Sequence, residues 1–235
     1  MKKKKIVTFG EIMLRLTTPD NLRIQQSHDF LVSYGGSEAN VAISIANFGG
    51  DVDYITRLPD NALGETCLSE LRSHNIGTQN VLIGGKRLGT YYMEKAAAMR
   101  NSKVIYDRDG SAFSELKPGM IDWKEVFKDA DIFHWSGIDA ALTPGLADVC
   151  HEAIAVAKEM GLQVSYDINY RKNLWNYGKS AQEVLRPLSQ ESDIMFGSEG
   201  EYAMLTGIPA PGFKATKNGE AYDLKAYEEF CKAIS

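Results

Sequence analysis

The chain has 235 residues, 44% of them hydrophobic and 24% charged, which is typical of a globular protein with one large domain. Its net charge of -5 argues against a surface made for nucleic acid, and no run of about 18 apolar residues could span a membrane. The basic run 2–5 is followed by too short an apolar stretch for a signal peptide. Three widely spaced cysteines favour reduced thiols in a cytoplasmic protein, with Cys67 and Cys150 on helix faces.

Short apolar runs alternate with segments of helical period along the chain. The predicted strands are, in chain order, 6–9, 30–34, 52–56, 81–83, 132–135, 164–168 and 194–196. The predicted helices are 41–48, 62–74, 144–160, 181–188 and 224–234, the third with Thr143 as N-cap and Gly161 just past its end. This alternation predicts an α/β fold with a mostly parallel sheet and helices on both faces.

Two segments interrupt this alternation, because residues 12–34 and 87–106 lack helical period and have an extended pattern. We predict that they pair as a small β-lid over a ligand site, leaving 1–11, 35–86 and 107–235 as the α/β core. An exposed face of such a lid needs a partner or a polar coat, so a homodimer or higher oligomer through the lid is a further hypothesis.

Gly35 and Gly36 stand between a predicted strand and a predicted helix, with Asn40 in the first helical turn. Glycines let the backbone approach a small polar ligand, and the helix start adds free N–H groups. A tight turn before a capped helix is the alternative. The same stretch nearly matches a hydrolase nucleophile elbow, with Ser37 as nucleophile and His134 or His151 as base.

Two arginines follow extended segments, and Arg171 lies just past the carboxyl end of a predicted strand, where parallel sheets bind ligands. Guanidinium groups match carboxylates, so Arg108 and Arg171, with the hydroxyls of Tyr91 and Tyr106, would suit a small acidic sugar. The alternative is that each arginine forms an internal salt bridge: Arg171 with Asp167, or Arg108 with Asp109.

Ser198 and Glu201 have the spacing of a helix capping box after the strand that ends at residue 196. A carboxylate near a phosphate-bound Mg²⁺ is the functional alternative. Both can hold if water bridges Glu201 to the metal.

The order and spacing of several motifs resemble one enzyme family. Phe9-Gly10-Glu11, Gly35-Gly36-x-x-x-Asn40 and Arg57-Leu58-Pro59-Asp60-x-x-x-Gly64 are followed by Tyr91, Tyr106-x-Arg108 and Asp167-x-Asn169-x-Arg171. Together they resemble the ribokinase-like (PfkB) carbohydrate kinases, and within them the 2-keto-3-deoxygluconate kinases, over essentially the whole chain.

The resemblance implies a three-layer α/β sandwich and transfer of the γ-phosphoryl group of ATP, with Mg²⁺, to the terminal hydroxyl of 2-keto-3-deoxygluconate. Ser198 and Glu201 would lie on the nucleotide side, with Glu201 reaching the metal through water. The predicted sugar-binding residues are Gly35, Gly36, Asn40, Tyr91, Tyr106, Arg108, Asp167, Asn169 and Arg171.

One family feature is missing from these residues, namely the late Gly-Ala-Gly-Asp motif that carries the catalytic base. We therefore expect that base to lie beyond Ser235, that the C-terminal part of the fold is absent here, and that apolar residues of the flanking strands are exposed. The alternatives are a fructokinase- or ribokinase-type enzyme, or a truncated protein that binds sugar acids without catalysis.

Overall fold

The computed structural model describes residues 3–216 and 219–234, and it describes 213–216 and 219–222 by their backbone alone. The strands are β1 (Lys5–Phe9), β2 (Met13–Thr17), β3 (Leu31–Gly35), β4 (Asp51–Ile55), β5 (Arg57–Leu58), β6 (Leu82–Ile83), β7 (Thr90–Glu94), β8 (Lys103–Asp107), β9 (Ile132–Ser136), β10 (Gln163–Asp167), β11 (Ile194–Phe196), β12 (Phe213–Thr216) and β13 (Gly219–Tyr222). The helices are α1 (Ser37–Asn47), α2 (Ala62–Ser73), α3 (Trp123–Val126), α4 (Gly137–Leu142), α5 (Pro144–Glu159), α6 (Ala181–Gln190), α7 (Glu199–Thr206) and α8 (Leu224–Ile234).

The central sheet has five strands in the order β11-β10-β9-β1-β4, and every neighbouring pair is parallel. Its strand order places the carboxyl ends of β1, β9 and β10 side by side at one edge, where open parallel sheets bind ligands. The predicted α/β fold with a mostly parallel sheet is therefore confirmed.

Helices cover both faces of this sheet, as predicted. On the first face, alternate strand residues join one large core with α3, α5 and α6, and Trp135 stacks on Tyr166 with ring centroids 4.3 Å apart. On the second face, α1 packs over β1 and β4, while an apolar groove over β9, β10 and β11 stays open. Phe196 in this groove is 56% exposed, which confirms the expected exposure of apolar strand residues.

The two extended segments form a separate four-stranded sheet in the order β3-β2-β7-β8. The central pair β2 and β7 is parallel, and the outer pairs are antiparallel. A β-lid is thus present, with β3 and β8 each running one residue past the predicted segments. The division into core and lid domains at those boundaries stays a prediction, as does oligomerisation.

Several predicted elements needed correction. Helix α1 begins at Ser37 rather than at residue 41, because Gly36 takes an extended backbone and serves as N-cap. Strand β6 pairs with β5 instead of joining the central sheet. Helix α5 has the predicted ends: Thr143 Oγ1 accepts from the Leu146 N–H at 3.1 Å, and Gly161 has a φ of 78°. Elements β5, α3, α4, β12 and β13 were not predicted, whereas α7 follows Ser198, as the capping-box spacing indicated.

Cys67 and Cys150 are buried in α2 and α5, as expected. Across the described residues, none of the helices combines the length and the apolar character needed to cross a bilayer.

Candidate sugar-binding site

A pocket of about 270 Å³ lies between the lid and the first turn of α1. Eight of the nine predicted sugar-binding residues line it, although they come from four separate parts of the chain: Gly35, Gly36, Asn40, Tyr91, Tyr106, Arg108, Asn169 and Arg171. Their role in binding stays a prediction, but the fold brings them to one place.

The two glycines are required by close packing inside the protein. A Cβ on Gly36 would overlap the carbonyl oxygen of Glu11, and one on Gly35 would lie 2.7 Å from the hydroxyl of Tyr91. Gly36 thus lets the chain after β1 pass the start of α1, and Gly35 leaves room for a tyrosine in the pocket. Asn40 is exposed in the first turn of α1.

The lid supplies a wall of two tyrosines. Tyr91 in β7 and Tyr106 in β8 are directly paired, with ring centroids 5.8 Å apart. Burial raises the pKa of Tyr91, so its hydroxyl stays protonated and can donate a hydrogen bond. The Arg108 guanidinium lies 5.9 Å from the Tyr106 ring centroid.

Arg108 is buried and forms a salt bridge with Glu11, which also lines the pocket. Its Nε donates to Glu11 Oε2 at 2.8 Å and its Nη2 donates to the same oxygen. The predicted alternative of a salt bridge between Arg108 and Asp109 is wrong, because Arg108 pairs with Glu11 instead. Sequence reasoning missed Glu11 as a site residue, although its place just past the carboxyl end of β1 was a usable signal.

One hydrogen-bonding position of this pair is left for a ligand. Among the described residues, neither Arg108 Nη1 nor Glu11 Oε1 has a hydrogen-bond partner, but Glu11 Oε1 is fully buried. Arg108 Nη1 is therefore the donor of this pair that a sugar can use.

Arg171 contrasts with Arg108 because its side chain is exposed. Its Nη1 donates to the Tyr170 carbonyl oxygen at 3.1 Å, and in the described part of the chain no carboxylate lies within salt-bridge distance. The predicted alternative of a salt bridge with Asp167 is thus not formed. Most of the Arg171 fork remains available to an acidic ligand.

Asp167 is the one predicted sugar-binding residue that does not line this pocket. It lines the apolar groove on the second face of the sheet, and its Oδ1 accepts the Asn169 N–H at 3.2 Å. This bond turns the chain so that Asn169, with a φ of 41°, points its amide to Ser37 Oγ at 2.7 Å. Asp167 shapes the loop rather than the pocket.

The Asn169 bond also decides against a hydrolase. Ser37 bonds to an amide instead of a histidine, and His134 bonds to Ser165 through Nδ1 at 2.9 Å. Burial lowers the pKa of His134 to about 4, which suits a neutral side chain packed in a strand. The nucleophile-elbow interpretation of Ser37 is wrong.

Ser198 and Glu201 lie outside the pocket and form the capping box of α7. Glu201 Oε2 accepts the Ser198 N–H at 2.8 Å, while Oε1 accepts the Tyr170 N–H at 2.7 Å. Burial alone would raise the pKa of Glu201, but these hydrogen bonds outweigh it and hold the pKa below its ordinary value. Glu201 therefore caps α7 and also fixes the loop that carries Arg171.

The described residues do not provide a metal site. Both Glu201 oxygens already accept hydrogen bonds, and nowhere in 3–216 or 219–234 are three or more potential ligands grouped for a metal ion. A metal held by protein side chains alone therefore does not fit the described residues. The water-bridged nucleotide-side role of Glu201 stays a prediction.

Three further residues of the pocket were missed from the sequence. Glu38, in the first turn of α1, is only 1% exposed, Met13 begins β2, and Ile138 is the second residue of α4. Glu38 carries a buried carboxyl group, while Ile138 and Met13 give the pocket an apolar part.

Comparison with known proteins places this geometry in a family. Residues 3–230 match the profile described as pfkB family carbohydrate kinase. The chain belongs to the pfkB family. It is 32% identical over 195 residues to the 2-dehydro-3-deoxygalactonokinase of Haloferax volcanii, covering 83% of this chain and 61% of that protein. It is 28% identical over 204 residues to the probable fructokinase-2 of Arabidopsis thaliana, covering 86% and 61%.

Solved pfkB-type structures have the same fold. The crystal structure of 2-dehydro-3-deoxygluconokinase from Thermotoga maritima superposes with a TM-score of 0.89 at 39% identity, covering 99% of this chain and 70% of that one. The ATP-bound fructokinase of Xylella fastidiosa gives 0.77 at 22% identity, covering 98% and 69%, and supports the fold alone. The chain thus spans about three fifths of the length of the two curated relatives.

Proposed function

We propose that this pfkB family chain forms the acceptor side of an ATP-dependent sugar kinase acting on a 2-keto-3-deoxy sugar acid. In the proposed reaction the γ-phosphoryl group of ATP passes to the terminal hydroxyl of 2-keto-3-deoxygluconate. The residues described here bind and orient the sugar. The proton acceptor, the nucleotide site and the Mg²⁺ site are expected from membership of the family.

The observation that carries the proposal is the exposed guanidinium of Arg171, which has no ion pair among the described residues and lies at the pocket with Nη1 of Arg108. A carboxylate bound there would gain charge-assisted hydrogen bonds of about 1.5–3 kcal/mol. The far end of the sugar would then point away from the arginines.

The apolar part of the pocket gives further support. Met13 and Ile138 face the same cavity as the polar residues. A methylene carbon, such as C3 of a 3-deoxy sugar, can lie against them without an unsatisfied hydroxyl group. Fructose carries a hydroxyl or keto oxygen on every carbon.

A fructokinase is the second candidate, and Glu11 favours it. Because this carboxylate neutralises Arg108, the buried part of the pocket carries no excess positive charge and suits a neutral sugar. The fructokinases among the relatives agree with such a use.

Binding of the purified chain to 2-keto-3-deoxygluconate, 2-keto-3-deoxygalactonate and fructose, measured by calorimetry, tests the proposal. We expect both keto acids to bind at least ten-fold more tightly than fructose, which is about 1.4 kcal/mol. Preference for fructose would establish the second candidate. Binding of a keto acid with no phosphoryl transfer from ATP would favour the non-catalytic binder.

The same proposal includes the location, the ligand and the oligomeric state of the protein. We place the protein in the cytoplasm, with a small acidic sugar as its partner and a homo-oligomer formed through the lid. The exposed Leu31, Val32 and Ile105 on the lid support the oligomer. Sedimentation as a monomer would contradict it.

A further inference from the structure

Two buried carboxyl groups beside the pocket have no role in the function proposed above. Glu38 is 1% exposed, and Asp139, in the first turn of α4, is fully buried. An ionised carboxylate is costly to bury without a hydrogen-bonding or oppositely charged partner. The protonation state of these two carboxyl groups therefore needs an explanation.

Ser136 joins the two groups. Its side chain lies close enough to Glu38 to lower the pKa of that carboxyl group, and its backbone N–H donates to Asp139 Oδ2 at 3.4 Å. Within the described residues, Glu38 Oε1 and Asp139 Oδ1 have no partner. Two ionised groups would set like charges against each other in a buried site, whereas a bound proton removes that repulsion.

Glu38 is held in place by the shape of the backbone. A Cβ on Gly10 would overlap the Glu38 carboxyl group, so the residue before Glu11 must be small for this side chain to fit. The carboxyl group consequently lies at the end of β1, in the wall of the pocket that Arg108 also lines.

The charged and titratable groups around Glu38 and Asp139 determine the direction in which the pKa values of the two carboxyl groups are shifted. Burial raises the pKa of Glu38 to about 7; Arg108 opposes this shift and Asp167 adds to it. Burial, followed by the Glu38 charge, raises the pKa of Asp139, with Arg108 and Glu11 as further charges nearby. The neighbouring groups of the other elements stay neutral because burial raises their pKa values: Tyr54, Cys67 and Cys150.

We propose that Glu38 and Asp139 form a proton-holding pair that lets the pocket accept an acidic ligand. The pair keeps one proton near neutral pH and takes up another from solvent when a ligand carboxylate enters beside Arg108. A new negative charge stabilises the protonated form of a nearby carboxyl group, so anion binding and proton uptake are linked. The inference rests on the proposed function only for the identity of the anion.

The proton itself can be observed without any ligand. Infrared spectra of the chain should show a C=O stretch of protonated carboxyl groups that fades as the pH rises through about 7. This change should be missing from Glu38→Gln and remain in Asp167→Asn, whose carboxyl group also has a pKa raised by burial. No such band near neutral pH in the unmodified chain would overturn the pair.

Calorimetry tests the link to binding. Titration with 2-keto-3-deoxygluconate just above pH 7, in two buffers with different ionisation heats, should report uptake of about half a proton per ligand. Fructose should show none, and Glu38→Gln should bind the keto acid without uptake. Equal binding heats in both buffers would overturn the inference without contradicting the proposed function. No heat from the keto acid would instead contradict the proposed substrate, and the infrared band alone would then uphold or overturn the pair.

Discussion

Arg171 is the exposed cation of the pocket, and its replacement by lysine tests whether the guanidinium fork is used. Arg171→Lys keeps the charge but loses the paired N–H groups, so one or two charge-assisted hydrogen bonds of about 1.5–3 kcal/mol are weakened. We expect the KM and Kd for the keto acid to rise about ten-fold or more, while ATP binding changes little. Calorimetry and initial rates of the full-length protein measure both.

The control is Arg186→Lys, because Arg186 is exposed on α6, outside the pocket. It should leave every constant unchanged. An unaltered keto-acid affinity in Arg171→Lys would contradict the carboxylate role of this arginine.

Gly35 is predicted to be intolerant of a side chain because of Tyr91. The Cβ of Gly35→Ala would lie 2.7 Å from the tyrosine hydroxyl but 3.8 Å from the ring carbon that carries it. We expect Gly35→Ala to push the ring into the pocket and weaken sugar binding about ten-fold, or about 1.4 kcal/mol.

A double-mutant cycle with Tyr91→Phe isolates that contact. In the phenylalanine background the clash is gone, so adding Gly35→Ala should cost little affinity. Gly200→Ala is a matched control, since a Cβ there meets nothing within 4 Å. Equal losses in both backgrounds would show that Gly35 acts in another way, such as by direct approach to the ligand.

At the level of elements, the loop between β10 and α6 depends on Glu201 of α7. Glu201→Ala removes the capping box and also the bond to the Tyr170 N–H, next to Arg171. We expect a loss of about 1–2 kcal/mol in the free energy of unfolding. The keto-acid affinity should also fall several-fold, because Arg171 is less well placed.

Helix α6 offers a control with the same local structure, since Ser180 and Glu183 form a second capping box. Glu183→Ala should reduce stability to a similar or smaller extent and leave the affinity for the keto acid unchanged. If Glu201 acts on the nucleotide side instead, its loss would weaken nucleotide binding and spare the keto acid.

The elements that the sequence predicted well are those with strong local signals. Helix α5 has a threonine cap, a first-turn proline and a glycine after its end, and its predicted bounds agree with the structure to within one residue. Helix α4 follows β9 directly and has only six residues, so its short apolar run was not told from a longer strand, although Ser136 and Asp139 form a capping box at its start. The pairing of β6 with β5 depends on tertiary contacts that no local pattern records.

The pocket was predictable to the extent that its residues follow strands or precede a helix. Gly35, Arg108 and Arg171 have such positions. Glu38 was missed because an acidic residue in a first helical turn ordinarily complements the helix dipole at the surface. Its burial depends on Gly10, which is 28 residues away in sequence and comes near only when β1 and α1 pack together.

At the scale of the whole molecule, Glu38 should make stability depend on pH. Burial raises its folded pKa from 4.5 to about 7, so the stabilising effect of its protonated form is full below about pH 4.5 and is lost as the pH rises through about 7. Relative to Glu38→Gln, the unmodified chain should lose up to about 3 kcal/mol of unfolding free energy across this window. Urea unfolding at the two ends of the window, followed by circular dichroism, measures the difference.

Glu183→Gln is the matched control for that measurement, because Glu183 is exposed and hydrogen bonds from Ser180 lower its pKa. A carboxyl group with a lowered folded pKa stabilises the protein above its unfolded pKa, so this variant should show no relative gain as the pH rises. If the unfolding free energies of Glu38→Gln and of the unmodified chain instead change in parallel with pH, Glu38 is ionised throughout this pH window. The buried carboxylate would then be neutralised mainly by Arg108, and the affinity for acidic sugars would not depend on pH near neutrality.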